Sequence, residues 1–426
     1  MDRAPARDPR LSARTVYVVG AGLAGLSAAV EIAGAGETVE VLEGAAQAGG
    51  RCRSYLDPQL GAVIDNGNHL VLSGNSAVQR YLAKIGASDR LAGPEEAAIA
   101  FADLTSGARW TLRPNEGPLP WWILSPRRRV PGTGALDYLP LAALLRPPAG
   151  RAISEVVACE GVLWERLLHP FLLAVLNTEP EAGSAALAAA VVRETLAKGG
   201  KACRPRIAHP TLAAAFVDPA LAWLKARGAR VSLGKRVRAL QLSEGRVTGL
   251  SLAGRDIALG PQDAVVLAVP PWAAQELLPG LQAPDSFRAI VNGHFLVPAP
   301  SGAEPMAGLI GGTADWVFAF PDRISVTVSG ADRLLGADRE ELAEAFWRDI
   351  AALHGLEGPP PPWQIVKERR ATFAATPEQD RKRPGARTRW DNLVLAGDWT
   401  ATGLPATIEG ALRSGRTAAA LALGRG

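Results

Sequence analysis

The residues with the clearest chemical potential lie near the start of the chain, where three glycines have the spacing G-x-G-x-x-G. They are Gly20, Gly22 and Gly25. The first allows a tight turn, the second lets backbone N–H groups approach a pyrophosphate, and the third lets a helix pack closely on a strand. Further along, the carboxylate of Glu43 can accept hydrogen bonds from ribose hydroxyls and repel a 2′-phosphate. This spacing predicts a dinucleotide site.

Three regular elements would position these residues. The short β-branched run Val16–Val19 predicts a buried strand of a parallel sheet. Leu23–Ala35 is rich in helix formers, so we expect a helix whose N-terminal N–H groups face the phosphates. Thr38–Leu42 predicts a second strand that ends at Glu43. A strand, a helix and a second strand in this order turn a weak glycine motif into a specific one.

Two polar stretches follow the second strand. Gly49-Gly50-Arg51 places a positive charge where the chain would pass back over the pyrophosphate, and arginine can pair a phosphate with two parallel hydrogen bonds. Ile64–His69 combines carboxylate, amide and imidazole groups that hydrogen-bond a heteroaromatic ring or a substrate oxygen. Each has an alternative that the sequence leaves open, which is a surface turn with a solvated arginine for the first and an Asx-rich turn for the second.

The end of the chain carries a similar arrangement. Asn392–Gly397 predicts a strand, and Asp398 follows at its carboxyl end, where open α/β sheets bind ligands. We expect a helix from Pro405 to Ala420, with Pro, Thr407 and Ile408 in its first turn. Its N-terminus would be the second one directed at the cofactor, where the helix dipole stabilises negative charge on a reduced flavin ring.

Length and composition indicate two lobes. A chain of 426 residues with 48% hydrophobic content can fill two cores. We expect an α/β protein with a Rossmann-type dinucleotide-binding domain and a mixed α+β substrate-binding domain. The predicted dinucleotide-binding domain, which the resemblance given below makes an FAD-binding domain, comprises residues 15–75, 231–284 and 391–426. The substrate-binding domain comprises residues 76–230 and 285–390, and residues 1–14 form a disordered tail.

Several classes of function are disfavoured. No run of roughly eighteen residues is apolar throughout, which predicts no membrane-spanning helix. The N-terminal segment lacks the apolar core of a secretory signal, so we expect a cytoplasmic protein. Cys52, Cys159 and Cys203 are far apart and predict neither a disulfide framework nor a zinc site. The five histidines are scattered and predict no metal centre. No nucleic-acid-binding module is recognised.

The middle of the chain is apolar and locally basic. Its apolar runs are Trp121-Trp122, Leu139–Leu145 and Leu167–Leu176, the last interrupted by His169-Pro170. They fit the wall of a large apolar cavity, helices at a membrane interface, or ordinary core helices. With the basic clusters Arg127–Arg129 and Arg381–Arg389, they lead us to expect an apolar substrate and peripheral contact with the inner face of the cell membrane. Solvated surface is the alternative for both clusters.

Motifs along nearly the whole chain resemble a known superfamily. GAGLAG with Glu43, GGRCRS, VVLAVPP and LAGDWTATGLPATIEGA are similar to the FAD-binding amine oxidases and phytoene desaturases. More closely, IDNGNHLVLSGN, LNTEP, FVDPALA and PPWQIVKERRATFAATP resemble the squalene-associated FAD-dependent desaturases, which form the hydroxysqualene dehydroxylase family. The resemblance implies an amine oxidase-like two-lobed fold and an FAD-dependent oxidoreductase.

The resemblance also implies where each part of FAD binds. The glycine motif should hold the pyrophosphate, Glu43 the adenosine ribose, the backbone of Val237 the adenine and Asp398 the ribityl chain, while Asn66–His69 pass close to the isoalloxazine. Because no cysteine follows Cys203, we expect non-covalent FAD. The expected cofactor-binding residues are Gly20, Gly22, Leu23, Ala24, Gly25, Glu43, Gly50, Arg51, Gly67, Asn68, Val237, Gly397, Asp398, Thr407 and Ile408.

The implied reaction replaces the allylic hydroxyl of hydroxysqualene by hydrogen, giving squalene for hopanoid biosynthesis. An acid would help water to leave, and reduced flavin would deliver hydride. The candidate acids are Asp65 and His69, which fall in the segment expected near the flavin, with Glu179, Glu181 and Lys367 in reserve. The family also implies association with squalene/phytoene synthase-like enzymes that supply the substrate.

Other functions share these motifs. A carotenoid-type desaturase would use the same pocket oxidatively, and anaerobic reaction of the reduced enzyme with hydroxysqualene separates the two. A non-catalytic prenyl-binding escort shares the fold, and a colourless purified protein would favour it. An amine oxidase needs an aromatic cage, which a chain with four tyrosines disfavours.

Overall fold

Twenty strands and ten α-helices make up the part of the chain that the computed structural model describes, residues 14–425. The strands are β1 Thr15–Val19, β2 Thr38–Leu42, β3 Ser54–Asp57, β4 Ala62–Asp65, β5 Leu70–Leu72, β6 Leu91–Ala92, β7 Ile99–Asp103, β8 Arg109–Leu112, β9 Pro205–Ala208, β10 Arg230–Ser232, β11 Val237–Ser243, β12 Arg246–Leu252, β13 Arg255–Ala258, β14 Ala264–Leu267, β15 Phe287–Phe295, β16 Met306–Ile310, β17 Trp316–Ala319, β18 Ile324–Val328, β19 Trp363–Phe373 and β20 Leu393–Leu395. The helices are α1 Leu23–Gly34, α2 Ser76–Ile85, α3 Leu139–Leu144, α4 His169–Leu176, α5 Ala185–Glu194, α6 Asp218–Lys225, α7 Pro271–Leu277, α8 Arg339–His354, α9 Pro377–Arg381 and α10 Ile408–Ala422.

The predicted disordered tail falls almost entirely outside the described residues, which begin at Arg14. Arg14 itself donates a hydrogen bond to the carbonyl of Ala422 at the end of α10. Among the helices of residues 14–425, none combines the length and the apolar character that a membrane crossing requires.

A five-stranded parallel sheet carries the glycine motif. Its strand order is β10-β2-β1-β14-β20, so the carboxyl ends of β1, β14 and β20 lie side by side. Val16 and Val18 pack in one cluster with α1 and α10, while Val265 and Leu267 pack on the other face with the antiparallel sheet β11-β12-β13. Both faces are therefore buried, which explains the nearly continuous apolar runs of these strands.

Two helices cross at close range over this sheet. A Cβ atom at Gly415 in α10 would lie 2.2 Å from the carbonyl oxygen of Ala24 in α1, so only glycine allows this approach. Ser27 Oγ donates a hydrogen bond of 2.9 Å to the carbonyl of Leu412 across the same crossing. The two helices are thereby fixed relative to each other and to the sheet.

A seven-stranded mixed sheet forms the second lobe. Its order is β19-β15-β18-β17-β16-β7-β8, in which β16 and β7 run parallel and the other neighbours run antiparallel. One face packs against α8 through Phe346 and Ile350, which lie in one apolar cluster with Val291 and Val326. This lobe positions β19 and β15 next to the dinucleotide motif, as described below.

The lobe boundaries differ from the predicted ones. Helices α2 and α6 were expected in the second lobe, but they pack in the first, where Val78, Tyr81, Phe216 and Leu224 lie in one cluster with α1. Glu409 explains the position of α2, because its carboxylate accepts hydrogen bonds from N–H groups at the N-terminus of that helix. Contacts between segments distant in sequence decide lobe membership here.

One local prediction also needs correction. The last helix begins at Ile408, three residues after the predicted start at Pro405, because Thr407 is its N-cap and accepts a hydrogen bond of 3.0 Å from Gly410 N–H. The apolar run Leu167–Leu176 is helical, and His169-Pro170 lies within it. A π-helical turn at Trp164–Leu168 leads directly into α4, with Pro170 in its first turn, where a missing N–H costs little.

A buried polar cluster joins the two lobes. Asp65, at the end of β4, accepts hydrogen bonds from Ser54 Oγ (2.5 Å) and Leu212 N–H (2.9 Å), and its carboxylate lies 3.6 Å from the guanidinium of Arg323. His294 on β15 is completely buried, and its Nδ1 lies 2.9 Å from Ser325 Oγ. Burial, followed by the charge of Arg323, lowers the pKa of His294 to about 3.

This lowered pKa predicts how stability depends on pH. Folding favours the neutral imidazole of His294, so its contribution is complete above about pH 6.5 and is lost as the pH falls toward about 3, at up to about 1.4 kcal/mol per pH unit. The His294→Gln variant cannot charge at this position. Denaturant unfolding should therefore show that, as the pH falls from about 6.5 to about 3, the free energy of unfolding decreases more for the wild type than for His294→Gln. Above this window the difference between the two proteins should be constant.

The exposed His209 provides the matched control. A His209→Gln variant should follow the wild-type pH dependence, and a constant difference between wild type and His294→Gln across the window would contradict the prediction.

Candidate functional site

The glycine turn has the geometry that a dinucleotide needs. Gly20 follows β1 with a φ of +107°, and a Cβ atom there would lie 2.5 Å from the carbonyl oxygen of Ala268 after β14. A Cβ atom at Gly25 would lie 1.9 Å from the Gly20 carbonyl oxygen. At Gly22, by contrast, no atom lies within 4 Å of the Cβ position. The outer glycines permit close packing, and the middle one borders open space.

The N-terminus of α1 opens onto this space. Gly22 is its N-cap, and no side chain caps the N–H groups of the first turn, which begins with Leu23 and Ala24. Uncapped N–H groups at a helix start favour an anion such as a pyrophosphate. The predicted strand, glycine turn and helix thus lie in the positions that phosphate binding requires.

The predicted adenosine end lies beside this turn. The carboxylate of Glu43 accepts hydrogen bonds of 2.7 Å from Ala21 N–H and Ala45 N–H, which fixes it between the turn and the loop after β2. The carbonyl of Glu43 accepts a hydrogen bond of 2.6 Å from Lys235 N–H, two residues before Val237. Val237 begins β11 and is buried, so the segments predicted to hold ribose and adenine are neighbours.

The Gly49-Gly50-Arg51 stretch lies directly on the glycine turn. Gly49 N–H donates a hydrogen bond of 2.8 Å to the carbonyl of Ala21, and a Cβ atom at Gly50 would lie 3.3 Å from Gly22 Cα. The guanidinium of Arg51 pairs with the carboxylate of Asp398 at 2.7 Å. It also donates a hydrogen bond of 2.6 Å to the carbonyl of Ala371 on β19. Arg51 is thus held by partners from two distant segments, and not by solvent alone as a simple surface turn would require.

Asp398 occupies the carboxyl end of β20. Its side chain is 7% exposed, whereas that of Arg51 is 42% exposed. Gly397, with a φ of +154°, leaves room for the ring of Trp399, because a Cβ atom there would lie 2.3 Å from Trp399 Nε1. Burial alone would lower the pKa of Arg51, but the adjacent Asp398 carboxylate raises it, so the guanidinium remains charged.

Arg383 holds the loop that carries Asp398. Its guanidinium is buried and donates hydrogen bonds to the carbonyl of Asp398 (3.1 Å), to Thr402 Oγ1 (2.8 Å) and to the carbonyl of Thr400 (2.5 Å). The loop leads to Thr407 and Ile408 at the start of α10. Arg383 belongs to the basic cluster Arg381–Arg389, so the solvated-surface interpretation of that cluster is wrong at this residue.

The polar segment after β4 is anchored on the second lobe. Asn68 Nδ2 donates hydrogen bonds to Thr327 Oγ1 (3.1 Å) and the Val326 carbonyl (3.3 Å) of β18. A Cβ atom at Gly67 would lie 2.9 Å from Asn292 Nδ2 on β15. Contacts between the lobes therefore fix Gly67 and Asn68, rather than a local Asx-rich turn alone.

The two candidate acids have different surroundings. Burial, followed by the positive charge of Arg51, lowers the pKa of His69 to about 4, so its imidazole is neutral near pH 7 and interacts with the Arg51 end of the site. Burial raises the pKa of Asp65, whose hydrogen-bond partners are Ser54 and Leu212 in the cluster between the lobes. Asp65 is buried and engaged by protein groups, whereas His69 is half-buried, so His69 is the better placed of the two to meet a ligand.

The reserve candidates lie elsewhere. Lys367 Nζ donates hydrogen bonds to the carbonyls of Leu335 (3.2 Å) and Ala337 (2.5 Å). Glu179 and Glu181 are exposed and lie near His169, whose Nε2 is 3.7 Å from a Glu179 oxygen. Within residues 14–425, these three side chains form the one group with metal-ligand spacing, and no further observation there points to an ion.

Sequence reasoning missed Glu368. This residue lies on β19, its carboxylate accepts a hydrogen bond of 3.2 Å from Asn66 Nδ2, and its charge acts on Arg51. The sequence marks it only by its place in the stretch KERRATF, since no local spacing connects it to Asn66 or Arg51.

These residues fit a flavin dinucleotide. The open side of Gly22 and the uncapped start of α1 suit a pyrophosphate, and Glu43 suits a ribose. The start of α10 lies in the same strand-end region, which suits the electron-accepting end of a flavin ring.

Comparison with known proteins shows which family the chain belongs to. The family model of the flavin-containing amine oxidoreductases matches residues 23–423. A hydroxysqualene dehydroxylase of Rhodopseudomonas palustris is 55% identical over 97% of this chain and 99% of its own length. A hydroxysqualene dehydroxylase of Zymomonas mobilis is 51% identical over 96% and 98%, respectively. The chain belongs to the hydroxysqualene dehydroxylase family of flavin-containing amine oxidoreductases. The family predicted from the motifs is thus confirmed, and the protein is a flavin-dependent oxidoreductase.

Solved structures confirm the fold predicted for this member of the hydroxysqualene dehydroxylase family. A double mutant of putrescine oxidase has a TM-score of 0.70 with this chain at 17% identity, over 97% of this chain and 99% of its own. At this identity the likeness shows the fold alone. The amine oxidase-like fold, with a parallel Rossmann-type sheet and a mixed second lobe, is therefore confirmed.

The open space at Gly22 gives a direct test of the flavin site. A methyl group in Gly22→Ala meets no protein atom within 4 Å, so the protein should fold normally, but the methyl would occupy the path of the pyrophosphate. We expect the flavin dissociation constant to rise about 10- to 100-fold, as for an overpacked contact. Fluorescence titration of the flavin-free protein measures this constant.

Gly336 is the matched control for Gly22, because it also has no atom within 4 Å of the Cβ position and no positive φ. Gly336→Ala should bind flavin as the wild type does, and unchanged binding in Gly22→Ala would contradict the assigned site.

Proposed function

We propose that this oxidoreductase reductively removes the allylic hydroxyl of hydroxysqualene, giving squalene, with FAD bound non-covalently. The names of its close relatives support the substrate. The structural observation that carries the proposal is one apolar cluster that extends from Trp399, beside Asp398, through Phe373 to Leu172 of α4 in the second lobe. Packed apolar residues that extend from the second lobe to the flavin site suit an isoprenoid chain rather than a polar amine.

Two features support FAD as the flavin and a non-covalent link. Glu43 and the neighbouring Val237 segment provide places for ribose and adenine, which FMN lacks. No cysteine follows Cys203 in the chain. Cys52 lies beside Arg51, but burial raises its pKa to about 12, so its sulfur remains a poorly nucleophilic thiol.

The reaction needs a proton and a hydride. The C–O bond of the allylic alcohol breaks, a C–H bond forms at the same allylic system, and the hydroxyl leaves with the proton as water. FAD, when bound in its reduced form FADH2, would supply the hydride and, in the overall balance, the proton that leaves with the hydroxyl as water. The chain must therefore exclude bulk water, bind the isoprenoid and place a hydrogen-bond donor at the leaving oxygen.

His69 is the proposed donor to the leaving oxygen. Its neutral imidazole interacts with the Arg51 end of the site, whereas Asp65 is held between the lobes by Ser54 and Leu212. A neutral imidazole can donate one hydrogen bond without bringing a second positive charge next to the guanidinium of Arg51. In this proposal Asp65 supports the segment that carries His69.

The cellular setting follows from the same proposal. The enzyme acts in the cytoplasm on the inner face of the cell membrane, receives its substrate from squalene/phytoene synthase-like enzymes, and supplies squalene to hopanoid biosynthesis. An apolar substrate and product support this setting, because both would reside in the bilayer.

Anaerobic single turnover tests the reaction. Chemically reduced enzyme mixed with hydroxysqualene in detergent should regain the oxidised flavin band at roughly 450 nm and form one squalene per flavin. Acid precipitation of the same sample should release all the flavin, because the proposed link between FAD and the protein is non-covalent. Inert reduced enzyme would overturn the proposal, and squalene oxidation by oxidised enzyme would favour a desaturase. Flavin-depleted Gly22→Ala is the control and should form no squalene.

Substitutions at His69 test the proposed donor. His69→Gln keeps a neutral donor and should reduce the rate of flavin reoxidation less than tenfold, whereas His69→Ala should reduce it about 100-fold. Because the imidazole loses its charge above about pH 4, the wild-type rate should be flat between about pH 5.5 and 8. Stopped-flow absorbance measures both effects.

Asp65→Asn is the companion variant. It should clearly lower the thermal unfolding temperature and change the rate per bound flavin little. A wild-type rate that falls as the pH rises through about 6.5, with the fall abolished in His69→Gln, would show that a charged His69 is the acid and would contradict the proposed neutral donor.

A further inference from the structure

An exposed apolar surface lies on the second lobe, away from the cofactor motifs. Ten large hydrophobic side chains are exposed among residues 14–425, and five of them lie within residues 119–139. They are exposed by 58–77% each. We call these five side chains the Trp121 patch, and they are Leu119, Trp121, Leu124, Leu136 and Leu139. Such a local concentration of large hydrophobic side chains is unfavourable in contact with water, so it marks a surface that another molecule covers.

The Trp121 patch is part of a packed structure. The buried rings of Trp122 and Tyr138 meet edge to face, with centroids 5.2 Å apart, and so join the two short helical turns that carry the exposed residues. Tyr138 Oη accepts a hydrogen bond of 3.0 Å from Val130 N–H, and Asn115 Nδ2 donates one of 2.8 Å to the carbonyl of Leu119. The apolar side chains are therefore held outward by a folded scaffold.

The surroundings of the patch are strongly basic. Residues 113–151 contain six arginines and two carboxylates, so this stretch alone has a formal charge of +4, equal to that of the whole chain. Arg127 and Arg128 are exposed next to Leu124. Both carboxylates are engaged, since Glu116 pairs with Arg204 at 2.8 Å and Asp137 accepts a hydrogen bond from Gly134 N–H.

We infer that the Trp121 patch docks the enzyme on a bilayer that contains anionic lipids. Leucine and tryptophan side chains enter the interfacial region, and the arginines bind lipid phosphates. A second copy of this chain would bring like charges together, so charge complementarity favours an anionic lipid surface over self-association. This docking is independent of the identity of the substrate.

The position of the patch suits transfer of an apolar ligand. Trp122, Tyr138 and Leu144 belong to the same apolar cluster as Leu167 and Leu172 of the second lobe and Trp399 at the flavin site. A lipid-facing patch on the outside of this cluster would place the bilayer against the substrate-binding lobe. An isoprenoid could then enter without crossing water.

Vesicle flotation tests the docking surface. Full-length, flavin-loaded protein should float with vesicles of phosphatidylcholine and phosphatidylglycerol, and high salt should weaken this binding. The double variants Trp121→Ser/Leu136→Ser and Arg127→Glu/Arg128→Glu should each reduce the partition coefficient about tenfold or more. Their flavin content and their turnover of detergent-dispersed substrate should match the wild type.

Matched controls separate the patch from general effects. Leu56, exposed by 67% on β3, gives Leu56→Ser as the apolar control, and Arg80→Glu/Arg238→Glu changes the net charge by the same amount as the arginine variant. Both controls should float as the wild type does. The inference is overturned if the protein does not float, if the controls lose binding equally, or if sedimentation shows that the patch forms a dimer instead.

A fluorescence measurement covers any variant that folds poorly. An environment-sensitive dye on Leu136→Cys should shift to the blue when anionic vesicles are added, because the dye enters the apolar region. The same dye on Leu56→Cys should not shift, after subtraction of labelling at the partly exposed Cys159. No shift at position 136 would overturn the inference.

Discussion

The site depends on the close approach of backbones at the carboxyl ends of β1, β14 and β20. Gly20 meets the carbonyl of Ala268, Gly25 meets the carbonyl of Gly20, and Gly415 meets the carbonyl of Ala24, at distances where any side chain would clash with main-chain atoms. Main chain cannot move aside as a flexible side chain can, so overpacking there would displace whole elements. The starts of α1 and α10 are consequently directed by close main-chain packing rather than by adjustable side-chain contacts.

The charges of the site are arranged on this frame. Arg51 and Asp398 come from opposite ends of the chain, 347 residues apart, and meet at 2.7 Å. Arg383, buried behind the Asp398 loop, saturates the carbonyls of that loop and keeps its carboxylate directed toward Arg51. Burial first, and the guanidinium of Arg51 second, lower the pKa of His69 and keep its imidazole neutral. The protonation of the group that we place next to the leaving oxygen is therefore set by its enclosure and by a nearby positive charge.

Local chemistry made part of this structure predictable. β1, the glycine turn, α1 and β2 follow from turn chemistry and apolar runs, and the bounds of β2 agree with the prediction at both ends. The Pro405 start failed because Thr407, a better N-cap, lies two residues later. Arg383 and Glu368 escaped notice because their partners are set by tertiary contacts. The same cause misplaced α2 and α6, whose lobe is decided by Glu409 and by packing on α1.

Asp65 was a candidate acid because it falls in the segment expected near the flavin, but it lies in the polar cluster between the lobes. A carboxylate beside an arginine and a histidine is typical of active sites. Here, however, Asp65, Arg323 and His294 are each at most 4% exposed. Asp65 pairs with Arg323, and His294 contacts Ser325. A buried ion pair adds little net stability, because desolvation offsets its attraction. The 3.6 Å contact between Asp65 and Arg323 nevertheless connects the end of β4 to the start of β18, and the contact between His294 and Ser325 connects β18 to β15. The cluster thus fixes how the segment carrying His69 leaves the first lobe, which an apolar contact of equal area would leave free to slide.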